Sequence, residues 1–279
     1  MAGLVLEGGT FRPIFSCGVM DAFLDEGIMF PYIIGVSAGI TDAFSYVSKQ
    51  KERNLKVLEK FRHDKRYMGI GNFFTEHSMI GLDFAYEEVP KYHMPFDWKT
   101  FREYDGQLLV GVTNARTGRT EYLNGKDADE SFTMLRATCA IPLLFPAIWI
   151  QNTPYYDGGI ADPIPIKKSI MDGNEKNVII LTRTPEYRKE LNHQTKLVAK
   201  ALLKNYPKLS RLMLTRHERY NYTLEYIHRL EKEGKALVLR PKYPLESFEK
   251  DVKVLRHTNE MGYALAMERM DEIREFIQM

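Results

Sequence analysis

The chain has 279 residues, 44% hydrophobic and 27% charged, with a net charge of +2, which allows one large α/β domain or a core domain with an appendage. So small a net charge gives no global field for nucleic acid, and any electrostatic role must be local. Two cysteines, Cys17 and Cys139, far apart and without CxxC or histidine-rich spacing, exclude a disulfide scaffold and a structural zinc site and suit a reducing compartment.

The N-terminal MAGLVLEGG lacks the basic and long apolar regions of a signal peptide. The most apolar stretch, Cys139 to Ile150, is too short to cross a bilayer and carries two prolines. The expectation is a cytosolic protein that touches membranes peripherally if at all.

Leu4-Val5-Leu6 reads as a buried strand that stops at Gly8-Gly9. Ile14, Phe15, Val19, Phe23 and Leu24 recur at helical spacing. Pro31 to Val36 reads as a second strand, and Ser37-Ala38-Gly39 turns sharply into a helix from Ile40 to about Lys49. Strand, helix, strand and helix within 50 residues predict a parallel sheet with crossover helices. Helix is expected from Glu52 to Phe61, whereas Asp64 to Pro95 is rich in Gly, Met and aromatic residues without clean periodicity. Leu108 to Asn114 and Arg119 to Leu123 read as strands, Ser131 to Thr138 as helix, and Val178 to Thr182 as a buried strand. From Glu186 to Gly234 the chain is helix-prone, with a break at Pro207. Ala236 to Leu239 reads as a short strand and Asn259 to Met279 as a final helix.

Three loop motifs stand at strand ends: Gly8-Gly9-Thr10-Phe11-Arg12, Gly35-Val36-Ser37-Ala38-Gly39 and Asp157-Gly158-Gly159. Gly-x-Ser-x-Gly between strand and helix is the nucleophile elbow pattern, in which small neighbours let a substrate approach the serine Oγ. The glycine loop can cradle a phosphate or aim its N–H groups at an oxyanion. It has Thr10 and Pro13 where Gly-x-Gly-x-x-Gly needs its second and third glycines, and no Gly-Lys-Ser/Thr, and a serine elbow follows in the next unit, so the oxyanion reading is preferred. Asp157 is a turn residue when taken alone. None of His63, His77, His93, His193, His217, His228 and His257 has a motif-like context, so a serine hydrolase would need another base here, and the Asp157 carboxylate is available.

Together VLEGGTFRPIFSCGVMDAF, IIGVSAG and CAIPLLFPAIWIQNTPYYDGGIADPIPI resemble the patatin-like phospholipases, specifically bacterial ones with an extra C-terminal region. The resemblance covers about residues 3–185. It implies a three-layer α/β/α sandwich with a mainly parallel central sheet, a patatin-like domain over 1–185, and a mostly helical C-terminal region over 186–279. It implies catalysis by a Ser37–Asp157 dyad, an oxyanion hole from Gly8, Gly9, Thr10, Phe11 and Arg12, an elbow framed by Gly35, Ala38 and Gly39, and a base loop of Gly158 and Gly159. No cofactor or metal is called for, and the implied substrate is an acyl ester or phospholipid. Thr10 and Pro13 depart from the family loop, where glycines are usual. Thr10 is β-branched, poorly suited to φ > 0. A thioesterase or transacylase on the same site, or a weak or inactive lipid-binding relative, are the competing readings.

Two further stretches stay open between readings. Met68 to Phe101 lines an acyl groove or is plain core. Tyr187 to Tyr220, with a local excess of +7, rests on an anionic membrane or forms the solvated faces of amphipathic helices.

Overall fold

The computed structural model describes residues 2–278. In chain order the elements are β1 (Ala2–Leu6), α1 (Ile14–Asp25), β2 (Tyr32–Val36), α2 (Ser37–Val47), α3 (Arg53–Phe61), α4 (Ile70–Glu76), a π-helix (Phe84–His93) and α5 (Trp98–Glu103). β3 (Gln107–Asn114), β4 (Thr120–Asn124), α6 (Thr133–Cys139), β5 (Ile148–Ile150), β6 (Thr153–Asp157), α7 (Ile166–Met171) and β7 (Lys176–Ile180) follow. The C-terminal part adds α8 (His193–Leu202), α9 (Pro207–Leu214), α10 (Arg216–Lys232), β8 (Ala236–Leu239), α11 (Val252–Glu268) and α12 (Met270–Gln278).

The eight strands form one mixed sheet. β3, β2, β1, β7 and β8 run parallel in that spatial order, and β4 lies antiparallel on the outer edge of β3. Alternation along the central strands sorts their side chains between two faces. Leu4, Leu6, Ile33, Val178 and Ile180 enter a core with Phe15, Val19 and Phe23 of α1, Phe44 of α2 and Ile273 of α12. Val5, Ile34, Ile179 and Val238 enter the opposite core, with Ile166 of α7 and Ile227 and Leu230 of α10. Both faces are covered, so the strands are apolar throughout, and the sandwich has three layers.

Past Gly111 the sheet changes partners. β2 pairs with β3 only as far as Val36 opposite Gly111, and β6 pairs antiparallel from Asp157 opposite Val112. Because β4 occupies the other edge of β3 along this stretch, β2 and β6 share one edge, end to end.

Some elements differ from expectation. The helix after the second strand begins at Ser37 itself rather than at Ile40. The aperiodic stretch holds α4 and the π-helix, whose i→i+5 bonding does not follow a 3.6-residue repeat. The final helix starts earlier, at Val252 under an Asp251 cap, and breaks at Arg269, whose guanidinium reaches the Val238 carbonyl at 2.7 Å.

α11 is seated directly on α1. A Cβ on Gly18 would lie 1.9 Å from the Asn259 carbonyl oxygen, and one on Gly262 2.0 Å from that of Phe15, so the two backbones touch where both side chains are missing. Gly262→Ala should therefore lower stability by about 1–3 kcal/mol through overpacking, read as a reduced urea midpoint. An unchanged midpoint would show that the crossing contributes nothing.

Candidate active site

Ser37 lies where β2 gives way to α2 with no intervening loop. The abrupt turn puts it at φ +55°, in the left-handed region, a strain of about 1–3 kcal/mol that its surroundings must hold. Thr138 of α6 helps to hold it. Its buried hydroxyl accepts from the Ser37 N–H at 2.8 Å and donates to the Gly111 carbonyl at 2.6 Å. One hydroxyl thus satisfies both strands at the point where their ladder ends.

Asp157 arrives from the other direction, at the end of β6. Ser37 Oγ donates to its Oδ2 at 2.7 Å, and the Gly159 N–H donates to its Oδ1 at 2.7 Å. The Asp157 N–H donates to the Ala140 carbonyl at 2.8 Å, and Thr113 Oγ1 donates to the Asp157 carbonyl at 2.8 Å, so backbone and side chain of Asp157 are both fixed. Burial raises the Asp157 carboxyl above the usual carboxylate range, opposed by the Ser37 bond, the Arg216 charge and the Gly159 N–H. Among the described residues no histidine bonds to either side chain.

The glycine loop runs alongside. A Cβ on Gly8 would lie 2.7 Å from Ser37 Cβ, so only glycine admits the serine here. Thr10 takes φ +58° despite its β-branch. The N–H groups of Gly9 and Thr10 have no partner among the described residues. The expectation for the next two residues is corrected. The Phe11 N–H donates to the Ser247 carbonyl and the Arg12 N–H to the Gly9 carbonyl, each at 3.1 Å, so neither amide is free for an oxyanion. The Arg12 side chain is likewise occupied, donating to Thr182 Oγ1 at 3.3 Å and to Ser247 Oγ. It props the loop rather than facing Ser37. Pro13 immediately precedes the first helical residue of α1 at φ −62°, where a missing N–H is harmless.

Glu7 anchors the loop from beneath. It is buried and accepts from the Thr182 N–H at 2.6 Å and from the Tyr220 hydroxyl at 2.8 Å. Gly39 packs on the Glu7 carbonyl and Gly158 on that of Gly111, while Gly35 lies beside Leu6 and Ala38 opens α2 towards the cavity.

That cavity, of about 800 Å³, holds Ser37 in its wall. Met68, Met79, Ile80, Tyr86, Val89 and Phe96 from the Met- and aromatic-rich stretch form much of it, with Leu143 and Leu197. Its size and apolar lining suit a hydrocarbon chain. Arg216 also borders it, and its Nε donates to the Gly159 carbonyl at 2.7 Å. Glu7, Thr138, Thr182 and Arg216 carry no sequence signal of their role. Only Arg216 lay in a stretch singled out, and there for its charge.

Comparison with known proteins agrees with this architecture. The patatin-like phospholipase model matches residues 4–169, and the chain belongs to that family. A domain of unknown function (DUF6363) matches residues 206–278. The uncharacterised protein YjjU of Escherichia coli (strain K12) is 28% identical over 64% of this chain and 51% of its own length. A probable lipid hydrolase, 463L, of Invertebrate iridescent virus 6 is 24% identical over 62% of this chain and 65% of its own. The matched region thus spans about half to two thirds of these relatives. VipD from Legionella pneumophila shares the fold, with a TM-score of 0.50 at 15% identity over 97% of this chain and 67% of that one.

Thr138→Val should leave a buried amide and a buried carbonyl unpaired, costing about 1–3 kcal/mol in urea unfolding. Thr138→Ser, which restores the hydroxyl, should recover most of that loss. Equal stability of the valine variant and wild type would remove the bridging role.

Proposed function

We propose that the chain is a serine acyl hydrolase acting on lipid esters, with Ser37 as nucleophile and Asp157 as base. The observation that carries this reading is the 2.7 Å bond from Ser37 Oγ, which lies in the wall of a large apolar cavity, to the buried Asp157 carboxylate behind it. Ser37 Oγ attacks the ester carbonyl as its proton passes to Asp157 Oδ2, which then releases the proton to the departing alcohol. Because Gly159 engages Oδ1, Oδ2 stays directed at the serine. The carbonyl oxygen becomes an oxyanion, for which the Gly8, Gly9 and Thr10 N–H groups, unpartnered among the described residues, are the donors the loop offers. Water, activated by the same carboxylate, hydrolyses the acyl-enzyme.

Burial matters for the base. An ordinary Asp at about 3.9 is a weak proton acceptor near neutrality, and desolvation moves Asp157 upward. The left-handed Thr10 supports a loop that keeps its donor in place of glycine, at a strain of about 1–3 kcal/mol. The family and the probable viral lipid hydrolase support a lipid ester as substrate. Thioester and transacylation chemistry use the same two side chains, and a panel of ester, thioester and acceptor substrates separates them.

Exposed apolar side chains accompany the cavity. Leu143 and Leu197 lie on its lining, and α4, rising between cavity residues Met68 and Met79, exposes Ile70 and Phe74. Lys196, Lys200, Lys204 and Lys208 are exposed on and beside α8. This pairing supports peripheral contact with an anionic membrane. No helix among the described residues is long and apolar enough to cross one.

Ser37→Ala should reduce hydrolysis of a para-nitrophenyl ester by at least about a thousand-fold and abolish fluorophosphonate labelling. Undiminished labelling of that variant would remove the nucleophile assignment. Protonated Asp157 cannot accept the serine proton, so kcat/KM should be present above its folded pKa and lost as pH falls through it. That acid limb should lie above the ordinary carboxylate value and disappear in Asp157→Asn. In sedimentation, binding should favour phosphatidylglycerol over phosphatidylcholine vesicles and weaken with salt; indifference to both would dispose of the charge-driven contact.

A further inference from the structure

Beside the large cavity lies a second, polar chamber of about 290 Å³. The two share Asn192, Thr195, Met213 and Arg216, so they are contiguous. The chamber's own walls add Arg188, Lys189 and His217, with the solvent-exposed Glu190 as the one carboxylate in its lining.

Two helices begin here. α8 opens under Asn192, whose side chain accepts from the Thr195 N–H, and α10 opens at Arg216 and His217. α8 brings its positive end to this space, whereas α10 starts directly on the C-terminal end of α9 at Thr215. Among the described residues, no ion pair holds Arg188, Lys189 or Arg216; Arg188 donates to the Pro185 and Tyr187 carbonyls, and His217 Nε2 lies 3.8 Å from Glu218 Oε1. His217 Nδ1 is buried without a hydrogen-bond partner among the described residues.

The backbone of Lys189 is firmly held. Asn221 clasps its backbone from both sides, accepting from its N–H at 2.8 Å and donating to its carbonyl at 3.0 Å. Its Nζ stands 5.0 Å from the Tyr220 ring centre, and Tyr220 in turn holds Glu7 beneath the glycine loop. Burial, then Arg216, pushes the ammonium down to about 7; Arg12 and Arg183 add to this, and Glu7 opposes it. Partly buried positive charges that no ion pair neutralises are costly, and a bound anion reduces that cost.

We propose that this chamber binds a phosphate group, with Lys189 and Arg216 as its charge partners, and that a phospholipid placing its head group there lays its acyl chain in the adjoining cavity. The Arg216 fork and the Lys189 point charge suit phosphate oxygens. A volume near 290 Å³ fits a head group rather than a whole lipid. The substrate half of this proposal rests on the acyl hydrolase reading, whereas phosphate binding does not.

Two measurements test it. Inorganic phosphate is titrated calorimetrically into the Ser37→Ala protein with and without Lys189→Met. The methionine should weaken binding by about tenfold or more, and Lys189→Arg, which keeps the charge, should retain it. Separately, the catalytically intact protein and its Lys189→Met variant are assayed on monomeric dihexanoyl-phosphatidylglycerol and on para-nitrophenyl hexanoate. The ratio of kcat/KM for phospholipid to that for the neutral ester should fall about tenfold in the variant, through KM. Loss of phosphate binding with a constant ratio identifies free phosphate as the ligand and overturns the head-group assignment. Phosphate affinity that ignores Lys189→Met, or no phosphate binding to the parent, overturns the chamber. If the intact protein hydrolyses no ester, the acyl hydrolase reading fails, and the titration alone decides the phosphate site.

Discussion

A single edge of β3 is shared by two strands that arrive from opposite directions. β2 occupies it up to Gly111 and β6 from Val112 onward, so the residue that follows one strand and the residue that ends the other are forced together. Ser37 and Asp157 are 120 positions apart in the chain, yet the ladder leaves them hydrogen-bonded. The break has a cost, because a ladder that changes partners strands backbone groups inside the protein. Thr138 meets it by taking the Ser37 amide and giving to the Gly111 carbonyl. Strain at Ser37, burial at Asp157 and the position of α6 all follow from this seam.

The C-terminal region takes part in the same construction. β8 extends the sheet beside β7, and α11 crosses α1 at Gly18 and Gly262. Ser247 accepts from Phe11 and Arg12, and Arg62 reaches the Glu249 carbonyl at 2.8 Å while stacking on the Phe11 ring. The glycine loop is therefore bracketed by residues more than 200 positions away. A short loop with a strained member, Thr10, keeps one shape only when its surroundings over-determine it. The segment from Ser247 to Glu249 supplies part of that constraint.

What could be read in the sequence was whatever a local turn announces. Gly8-Gly9, Gly35-Val36-Ser37-Ala38-Gly39 and Asp157-Gly158-Gly159 each mark a strand end by small residues, and the apolar strands between them declare a sheet covered on both faces. Long-range partners leave no such mark. Thr138 sits in an ordinary helical stretch and acts 101 positions from Ser37, and Arg216 acts on a carbonyl 57 positions away. Phe11 and Arg12 show the converse. Their adjacency to the glycines suggested free amides, but a distant Ser247 and the turn itself take both. The π-helix escaped for another reason, since its repeat is not the one an amphipathic search tests.

Arg216 links these features electrostatically. A cation bonded directly to Asp157 would hold the carboxylate ionised at low pH and weaken it as a base. Arg216 donates instead to the carbonyl of Gly159, the residue whose N–H supports Asp157 Oδ1. It therefore fixes the base loop through the backbone while lowering the carboxyl less than burial raises it. The same guanidinium borders both the apolar cavity and the polar chamber, and its charge depresses the neighbouring Lys189. An anion settling against Arg216 and Lys189 would offset the positive field at Asp157. An anion bound there would thus raise the proton affinity of Asp157, through one side chain contributed by the C-terminal region.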